Sequence, residues 1–342
     1  MNATQTQSEP LQVAMVGAGM ISWYHLVAWR NLGSKVKIVA VYDPDQARAQ
    51  SRAKEFAISE VVTDQQSVFS RVKIDALDIA SPRETHAAWV EAAATRGISV
   101  LCQKPLTPTL YEAEQLVARI AGRTRLMVHE NWRFRPWYRE LKKWIETGLL
   151  GRITLARMSL ISSGMLPDEK GNRPTFIRQP FMAHEARLML SEVLIHHLDT
   201  MRFLCGPLRV VAARVSDTPE AARGETTAAI FMESERGAPI ELVGTMVAPG
   251  YPVRPSDRLE IVGTRASAIF DDWELRLVGP GAEVQRFDSV KGYQDSFNRT
   301  ISHFVHCLSS GAPFETNPTD NLETLRLVEH AYWAAGRHRP QS

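Results

Sequence analysis

The chain has few cysteines, no long apolar run and almost no net charge, and each shortage excludes a class of protein. Three widely spaced cysteines do not form the even, clustered set of a disulfide framework. No apolar run approaches the roughly 18 residues that span a bilayer, and the polar start lacks the basic and apolar regions of a signal peptide. The sequence therefore predicts a cytoplasmic protein with no membrane partner.

Charge is abundant but balanced, which argues against a nucleic-acid partner. The 40 basic residues are scattered among 38 acidic residues, for a formal net charge of +2, and they form no basic stripe. A chain of 342 residues is too long for one ordinary core, so we expect two domains.

The first third of the chain alternates short apolar runs with amphipathic stretches. Strands are predicted at 11–16, 37–42, 76–80, 99–102 and 126–129. Helices are predicted from Met20 onward, at 46–56 and at 86–96. Because parallel neighbours need a crossover connection, this alternation predicts a doubly wound parallel sheet of the Rossmann type.

From about residue 152 the chain changes to strands joined by short connections. They are predicted at 152–162, 209–216, 226–233, 240–247 and 258–262, with helices at 191–204 and 321–335. Such connections favour an α+β domain with an open, mostly antiparallel sheet. We therefore expect a disordered N-terminus at 1–10, a Rossmann domain at 11–130 and the α+β domain at 131–342.

A glycine-rich turn follows the first predicted strand. Gly17 allows a tight turn, and Gly19 lets the backbone approach a pyrophosphate at the positive end of the next helix. Met20 and Ile21 begin that helix and complete the predicted cofactor contacts. Ser22 stands where the usual fingerprint has a third glycine, and a glycine turn between a strand and a helix needs no ligand.

Asp43 ends the second predicted strand, about 24 residues after Gly19. A carboxylate there can accept both hydrogen bonds of an adenosine ribose diol and would repel a 2′-phosphate, which favours NAD over NADP. Arg48 would weaken that preference. The alternative for Asp43 is a turn residue, since Asp-Pro often begins a turn. Together with the glycine turn, Asp43 predicts that the first domain binds NAD.

Two further segments contain residues that suit acid–base chemistry. Lys104 follows a strand, at the carboxyl edge where ligands bind in open α/β sheets. In the helix predicted at 191–204, Glu192, His196 and Asp199 share one face, so carboxylates flank a histidine that can act as a general base. The alternative is a structural histidine. His197 points about 100° away on an ideal helix, so we expect it to be packed or at an interface.

With these segments in place, the chain resembles the Gfo/Idh/MocA oxidoreductases, a family that includes glucose–fructose oxidoreductase and inositol dehydrogenases. The resemblance runs almost end to end, and a lysine-proline after a strand combined with an acid-x3-His-x2-Asp helix is its most specific part. The matching segments are the glycine turn, Asp43, Ile79 to Pro82 with His86, Gln103-Lys104-Pro105, Asn131 to Pro136, Gly148 to Ile153, the helix from Glu192 to Gly206, and the helix from Asn321 to Tyr332.

The resemblance implies roles for individual residues. Lys104 matches the lysine that hydrogen-bonds the reacting hydroxyl, His196 matches the usual base, and Glu192 stands where the family usually has an aspartate. Further positions that match those lining the cofactor are Ser81, Pro82, His86 and Asn131, and Gln103 and Lys104 are predicted to contact the cofactor as well. The resemblance also implies that the second domain binds substrate and forms dimer or tetramer contacts through its open sheet.

Two residues depart from the family pattern. Gln103 replaces the usual glutamate and removes a negative charge near Lys104. Glu192 is one methylene longer than aspartate, which displaces its carboxylate by about 1 Å, a distance that matters for positioning. Together the departures suggest a subgroup whose substrate differs from those of the best-known members.

The predicted reaction is the NAD-dependent oxidation of a secondary hydroxyl of a sugar, polyol, inositol or sugar acid. Trp132, Arg133 and Arg178 are candidates for the substrate pocket, and Arg178 or Arg187 could receive a carboxylate. The alternative for these arginines is a surface or interface position.

Two other functions stay open. One is a reaction with transient oxidation by tightly bound NAD, as in an isomerase, a lyase or a glycosidase. The other is a regulator that binds NAD and a sugar without turnover. No metal is predicted, because His303, His306 and Cys307 have helical spacing but no evident fourth ligand.

Overall fold

A computed structural model describes residues 9–71 and 73–337, whose contacts form two compact units. The first comprises the described part of Met1–His129 with Phe297–Asn321, and the second comprises Glu130–Ser296 with the described part of Leu322–Ser342. The predicted disordered segment 1–10 lies almost entirely outside the described residues. The predicted domains 11–130 and 131–342 differ from these units at Glu130, which contacts assign to the second unit, and at residues 297–321, which they assign to the first.

The first unit contains six strands and the helices between them. The strands are β1 (Leu11–Val16), β2 (Val36–Tyr42), β3 (Glu60–Val62), β4 (Ala76–Ile79), β5 (Ser99–Gln103) and β6 (Leu126–His129). The helices are α1 (Met20–Arg30), α2 (Gln46–Phe56), α3 (Gln65–Ser70), α4 (His86–Ala94) and α5 (Leu110–Ile120).

All six strands are parallel, in the order β3-β2-β1-β4-β5-β6, which confirms the predicted Rossmann sheet. Residues Val13 to Val16 have no exposed surface, as expected for a strand covered on both faces. The strand order reverses between β1 and β4. The carboxyl ends of these strands therefore border the crevice where ligands bind in sheets of this kind.

Capping side chains fix where several helices of this unit begin. The Asp45 carboxylate accepts hydrogen bonds from two backbone N–H groups at the start of α2. Thr109 and Glu112 form a reciprocal capping box at the start of α5. Helices α3 and α5 were not among the sequence predictions, although their capping residues are visible in the sequence.

The second unit is built on eight strands. They are β7 (Ile153–Ile161), β8 (Leu208–Asp217), β9 (Glu225–Ser234), β10 (Pro239–Thr245), β11 (Arg258–Gly263), β12 (Ser267–Asp271), β13 (Glu274–Val278) and β14 (Glu283–Arg286). The remaining helices of the chain are α6 (Pro136–Glu146), α7 (Pro174–Arg178), α8 (Ile195–Cys205), α9 (Ser289–Ser310) and α10 (Pro318–Ala334).

The sheet order is β14-β13-β12-β11-β7-β10-β9-β8, and β7 pairs with β10 in parallel while the other neighbours are antiparallel. This confirms the predicted mostly antiparallel sheet. One face is buried, with Met158, Ile230 and Leu242 fully or almost fully covered, and the other exposes Leu155 and Phe231. Within the described residues, no helix is both long and apolar enough to cross a membrane.

The helix predicted at 191–204 is not continuous, which is a correction. Residues Met189–Val193 form a π-helical turn, and α8 begins only at Ile195. The N–H of Leu194 donates to the carbonyl of Met189, five residues earlier, at 2.7 Å. A Cβ on Gly244 of β10 would collide with the side chains of Met189 and Leu194, so both pack onto the sheet at that glycine. The wider turn lets residues five apart face the same surface.

Candidate active site

The glycine turn between β1 and α1 contains two glycines with different reasons for being glycine. Gly17 has a φ of +98°, and a Cβ there would lie 2.5 Å from the carbonyl oxygen of Ala80. Gly19 has an ordinary φ of −72°, and a Cβ on it would meet no atom within 4 Å. The structure therefore requires glycine at 17, whereas Gly19 leaves open space at the N-terminus of α1, which suits a pyrophosphate.

Ser22 takes the place of the third glycine without breaking the turn. Its side chain is fully buried, and its hydroxyl donates to the carbonyl of Gly19 at 2.7 Å. A small side chain that is satisfied by the turn itself explains why this departure from the fingerprint is tolerated.

Asp43 follows β2 and is hydrogen-bonded to the glycine turn. One carboxylate oxygen accepts from the N–H of Ala18 at 2.8 Å, and the other accepts from the N–H of Asp45 at 2.9 Å. The bond to Asp45 is the turn role that the sequence left as an alternative. The bond to Ala18 holds the carboxylate against the glycine turn. Each oxygen retains acceptor capacity for a ribose hydroxyl. Arg48 lies 3.9 Å from Asp43 but is bound to Asp45 at 2.8 Å.

The loop after β4 is joined to the loop after β5 by His86. Its ring nitrogens lie 2.9 Å from the carbonyl oxygens of Pro105 and Ser81, and the side chain is almost fully buried. Burial lowers the pKa of His86, against the opposing effect of the two carbonyls. This favours an indirect role for His86, while cofactor contacts by Ser81 and Pro82 stay predictions.

Lys104 stands at the end of β5, and its backbone is held by the preceding side chain. The Lys104 N–H donates to Oε1 of Gln103 at 3.1 Å. The amide nitrogen of Gln103 contacts the rings of His25 and His129. Gln103 is therefore engaged within the protein, and its predicted contact with a cofactor stays a prediction.

His196 lies on the first turn of α8 and is bound to a carboxylate that the sequence did not predict as a functional residue. Its Nδ1 is hydrogen-bonded to Oε1 of Glu130, which is fully buried. The indole of Trp132 stacks on the imidazole, with ring centroids 4.3 Å apart and planes 13° from parallel. A proton on Nδ1 is directed at Glu130, so Nε2 has the lone pair that a general base needs.

The predicted α-helical spacing between His196 and Glu192 crosses the start of α8, whereas Asp199 lies on α8 three residues after His196. Glu192 is buried in the π-helical turn. Asp199 is fully buried and bound to Arg133 through two hydrogen bonds, of 2.7 and 2.5 Å. The edge of the guanidinium formed by Nε and Nη2 is thus bound to Asp199, which favours a structural role for Arg133. A substrate contact by Arg133 and a catalytic role for Glu192 stay predictions.

Asp257, just before β11, joins several buried groups of the second unit. Its carboxylate accepts from Nε2 of His197 at 2.9 Å and from the hydroxyl of Tyr138 at 2.5 Å. It also accepts from Arg135 at 3.2 Å and from the indole of Trp132 at 3.3 Å. Burial alone would raise the pKa of Asp257, but His197, Arg135 and Tyr138 hold it well below its ordinary value. His197 is thus packed, as expected.

The two candidate carboxylate-binding arginines differ in their partners. Arg187 is bound to Glu329 at 2.7 Å and lies over the ring of Tyr332, so its charge is already compensated. Arg178, at the end of α7, donates to the hydroxyl of Tyr293 at 2.9 Å. Among the described residues no carboxylate lies within salt-bridge distance of Arg178. Arg178 therefore fits an anionic or hydroxyl-rich ligand better than Arg187 does.

Sequence reasoning missed three residues that contact candidate site side chains or their neighbours: Glu130, Asp257 and Tyr293. Glu130 could have been found, because it directly follows β6 and precedes Asn131, whose amide donates to Ser296 at 2.8 Å. Asp257 and Tyr293 lie far along the chain from His196 and have no motif of their own.

Comparison with known proteins decides the family. A model described as "Oxidoreductase family, NAD-binding Rossmann fold" matches residues 11–131, and one described as "GFO/IDH/MocA C-terminal domain" matches residues 138–269. A D-apiose dehydrogenase of Paraburkholderia graminis is 30% identical over 99% of this chain and 91% of its own length. The chain belongs to the Gfo/Idh/MocA oxidoreductase family.

Other relatives are similar to this chain over more than nine-tenths of its length. The scyllo-inositol 2-dehydrogenase (NAD(+)) of Bacillus subtilis is 26% identical over 92% of this chain and 91% of its own length. An oxidoreductase from Agrobacterium radiobacter, solved in complex with NAD+, L-tartaric acid and magnesium, superposes with a TM-score of 0.88 and 28% identity, covering 97% of this chain and 98% of that one. Levoglucosan dehydrogenase, at 19% identity and a TM-score of 0.85, covers 96% of this chain and 98% of its own and shows the same fold.

Membership in the Gfo/Idh/MocA family agrees with the chemistry of the first unit, which binds NAD. The open N-terminus of α1 and the carboxylate of Asp43 beside the turn suit the pyrophosphate and the ribose of that cofactor. No group of three or more side chains placed to hold a metal ion occurs among residues 9–71 and 73–337.

Proposed function

We propose that this protein catalyses the reversible NAD-dependent oxidation of a secondary hydroxyl on a sugar, polyol, inositol or sugar acid. The observation that carries the proposal is the pairing of His196 with Glu130, which gives the second unit a base of fixed orientation. The curated relatives support it, since they are named as dehydrogenases of D-apiose and of inositols.

In the proposed reaction His196 removes the hydroxyl proton. Its Nδ1–H is directed at Glu130, so Nε2 accepts the proton, and the carboxylate stabilises the imidazolium that forms. Trp132 packs against the ring and limits its rotation. Glu192 stays a candidate for a catalytic role through the family resemblance.

Lys104 is proposed to donate a hydrogen bond to the reacting oxygen and so to stabilise the developing alkoxide. Its position at the carboxyl end of β5 is that of a ligand-binding residue in an open α/β sheet. NAD, when bound, supplies the hydride acceptor, and the proposed contacts to it come from the glycine turn and Asp43, with Ser81, Pro82 and Asn131 as further candidates.

For the substrate, Arg178 is proposed as a hydrogen-bond donor, and Trp132 as a neighbour of the bound ligand rather than a stacking platform, since the His196 ring and the Arg135 guanidinium already lie against its indole. Tyr293 lies edge-on to Trp132, with ring centroids 6.5 Å apart, and accepts from Arg178. The guanidinium of Arg178 beside these rings suits a polyhydroxylated ligand, whose oxygens accept hydrogen bonds.

The test is NADH formation from NAD with a panel of D-apiose, other aldoses, inositols, polyols and aldonates. We expect one class of substrate to reduce NAD and Lys104→Met to lower kcat/KM by about 10²–10⁴. Lys143→Met is the matched control, since Lys143 is exposed on α6 and paired with Glu140. The control should retain full activity.

If no compound in the panel reduced NAD, the dehydrogenase proposal would be overturned. The amount of NAD bound to the purified protein would then distinguish a reaction with transient oxidation from a regulator. NAD that stays bound through purification and is not consumed would favour a reaction with transient oxidation. Exchangeable NAD binding without turnover would favour a regulator.

We also propose that the protein is a homodimer or homotetramer assembled through the open face of its eight-stranded sheet. Phe231 of β9, Leu155 of β7 and Val211 of β8 are 46%, 39% and 47% exposed, which is unusual for large apolar side chains on one sheet. Sedimentation of the Phe231→Glu variant should show a smaller species than the parent protein. An unchanged sedimentation coefficient would contradict this face as the interface. Cytoplasmic location stays a prediction from the sequence.

A further inference from the structure

A buried hydrogen-bonded cluster lies directly behind Lys104 in the first unit. Nδ1 of His25, on α1, lies 2.8 Å from Oδ2 of Asp78, on β4, and both side chains are fully buried. The indole of Trp29 donates to the same oxygen at 2.6 Å. Nε2 of His25 lies 2.9 Å from the amide nitrogen of Gln103, which lies 3.2 Å from Nδ1 of the fully buried His129.

The neighbours of Gln103 decide which way its amide points. The backbone N–H of Lys104 can only donate, so the side-chain atom 3.1 Å from it must be the oxygen. The NH₂ group then faces the two rings and donates one hydrogen to each. Nε2 of His25 and Nδ1 of His129 must therefore both be unprotonated acceptors. The remaining ring proton of His25 is on Nδ1 and is directed at Asp78.

We propose that Gln103 is a positioning residue for Lys104, and that it works because His25 and His129 are both neutral with these tautomers. The amide uses its acceptor on the N–H of Lys104 and both donors on the rings, so its orientation has no freedom left. The cluster thereby fixes the backbone at the residue whose ammonium group is proposed to contact the reacting oxygen. This inference rests on the proposed role of Lys104.

A glutamate side chain in place of Gln103 would change the proton count of the cluster. A carboxylate has no hydrogen to donate, so the ring nitrogens that face it would have to become donors. His25 already directs its Nδ1 proton at Asp78, so it could donate to the new carboxylate only as an imidazolium. The backbone N–H of Lys104 could still donate to an oxygen of the new carboxylate. Gln103→Glu therefore keeps the side chain at position 103 in place beside Lys104 only while His25 has an extra proton.

The first measurement does not depend on activity. In the ¹⁵N-labelled protein, NMR of the ring nitrogens should show unprotonated Nε2 in His25 and unprotonated Nδ1 in His129, assigned with His25→Gln and His129→Gln variants. The opposite tautomer or an imidazolium in either ring would overturn the proposal, even if no substrate had been found.

The second measurement uses the activity. Gln103→Met, similar in size but without hydrogen bonds, should lower kcat by about tenfold or more through displacement of Lys104. Gln103→Glu should approach the parent kcat near pH 6 and lose it as the pH rises, a loss the parent does not show. Parent-like kcat and pH profile in both variants would overturn the proposal. Calorimetric NAD binding and an unchanged unfolding midpoint confirm that each variant is folded.

Discussion

Each unit buries a polar cluster, and the two clusters differ in how their charges are compensated. In the first unit, the neutral amide of Gln103 joins two histidine rings, and Asp78 is the carboxylate at one end. In the second unit, Asp257 is bound to Arg135 and His197, and Asp199 is bound to Arg133. The described groups of the first unit's cluster are thus mostly neutral, whereas those of the second unit's cluster form buried ion pairs.

This difference matters because losing one partner has different consequences in the two clusters. Removing one partner of a buried ion pair leaves an uncompensated charge and typically costs about 3–5 kcal/mol. Removing one neutral hydrogen bond costs about 1–3 kcal/mol when a buried group is left unsatisfied. The second unit should therefore depend on its cluster for stability, whereas the cluster behind Lys104 mainly fixes geometry.

The largest expected effect is on the stability of the second unit. Asp257→Asn keeps the shape of the side chain but leaves the almost fully buried Arg135 without its carboxylate. We expect the free energy of unfolding to fall by about 3 kcal/mol or more, measured by urea denaturation. The matched control is Asp271→Asn, whose half-exposed carboxylate lies 3.9 Å from Arg258. A surface pair of this kind is worth about 0–1 kcal/mol. Equal losses in the two variants would contradict the contrast between buried and exposed pairs.

The same residue predicts a dependence on acid. Burial opposes ionisation, but His197, Arg135 and Tyr138 hold the pKa of Asp257 below its ordinary value. A carboxylate with a lowered folded-state pKa stabilises the protein fully above its unfolded pKa of about 3.9, and this stability is lost as the pH falls toward the folded value. The difference in unfolding midpoint between the parent and Asp257→Asn should therefore narrow below about pH 4. A constant or widening difference would contradict this linkage.

A smaller effect is expected on catalysis when the partner of His196 loses its charge. Glu130→Gln keeps an acceptor for the ring but cannot stabilise the imidazolium, so kcat should fall by about 10- to 100-fold. Steady-state rates with saturating NAD measure it. Glu140→Gln on α6, whose carboxylate pairs with Lys143, is the control and should leave kcat unchanged. If Glu130→Gln retained the parent rate, the pairing would be structural rather than catalytic.

The elements that could be predicted are those whose pattern is local. The strands of the Rossmann sheet are continuous buried runs, such as Val13 to Val16, and the predicted helix 46–56 matches α2. β12 to β14 were missed because they are short, at four or five residues each. The π-helical turn before His196 has no such local pattern, and the side chains of Met189 and Leu194 pack against Gly244, a glycine about 50 residues further along the chain.

The candidate site shows the same limit. The glycine turn, Asp43, Lys104 and His196 could be proposed from the sequence because each lies beside a recognisable pattern of strand or helix. Glu130 was missed as the partner of His196 because helical spacing pointed to Glu192 instead. Residues 189 and 194, at either end of the π-helical turn, pack against Gly244 of the sheet, and packing between distant segments leaves no local signal in the sequence.

The smallest expected change in stability separates the two glycines of the turn. Gly19→Ala adds a methyl group into open space at an ordinary φ, so the free energy of unfolding should change by less than about 1 kcal/mol. The affinity for NAD should nevertheless fall by about tenfold or more, since that space is where we place the pyrophosphate. Gly17→Ala should do the reverse and destabilise the fold by about 1–3 kcal/mol, because its Cβ would meet the carbonyl of Ala80 at a positive φ. Calorimetry with NAD and thermal unfolding of both variants measure the contrast. If Gly19→Ala bound NAD as tightly as the parent, the open space at α1 would not be the pyrophosphate site, and Asp43 alone would have to explain the binding of the cofactor to this unit.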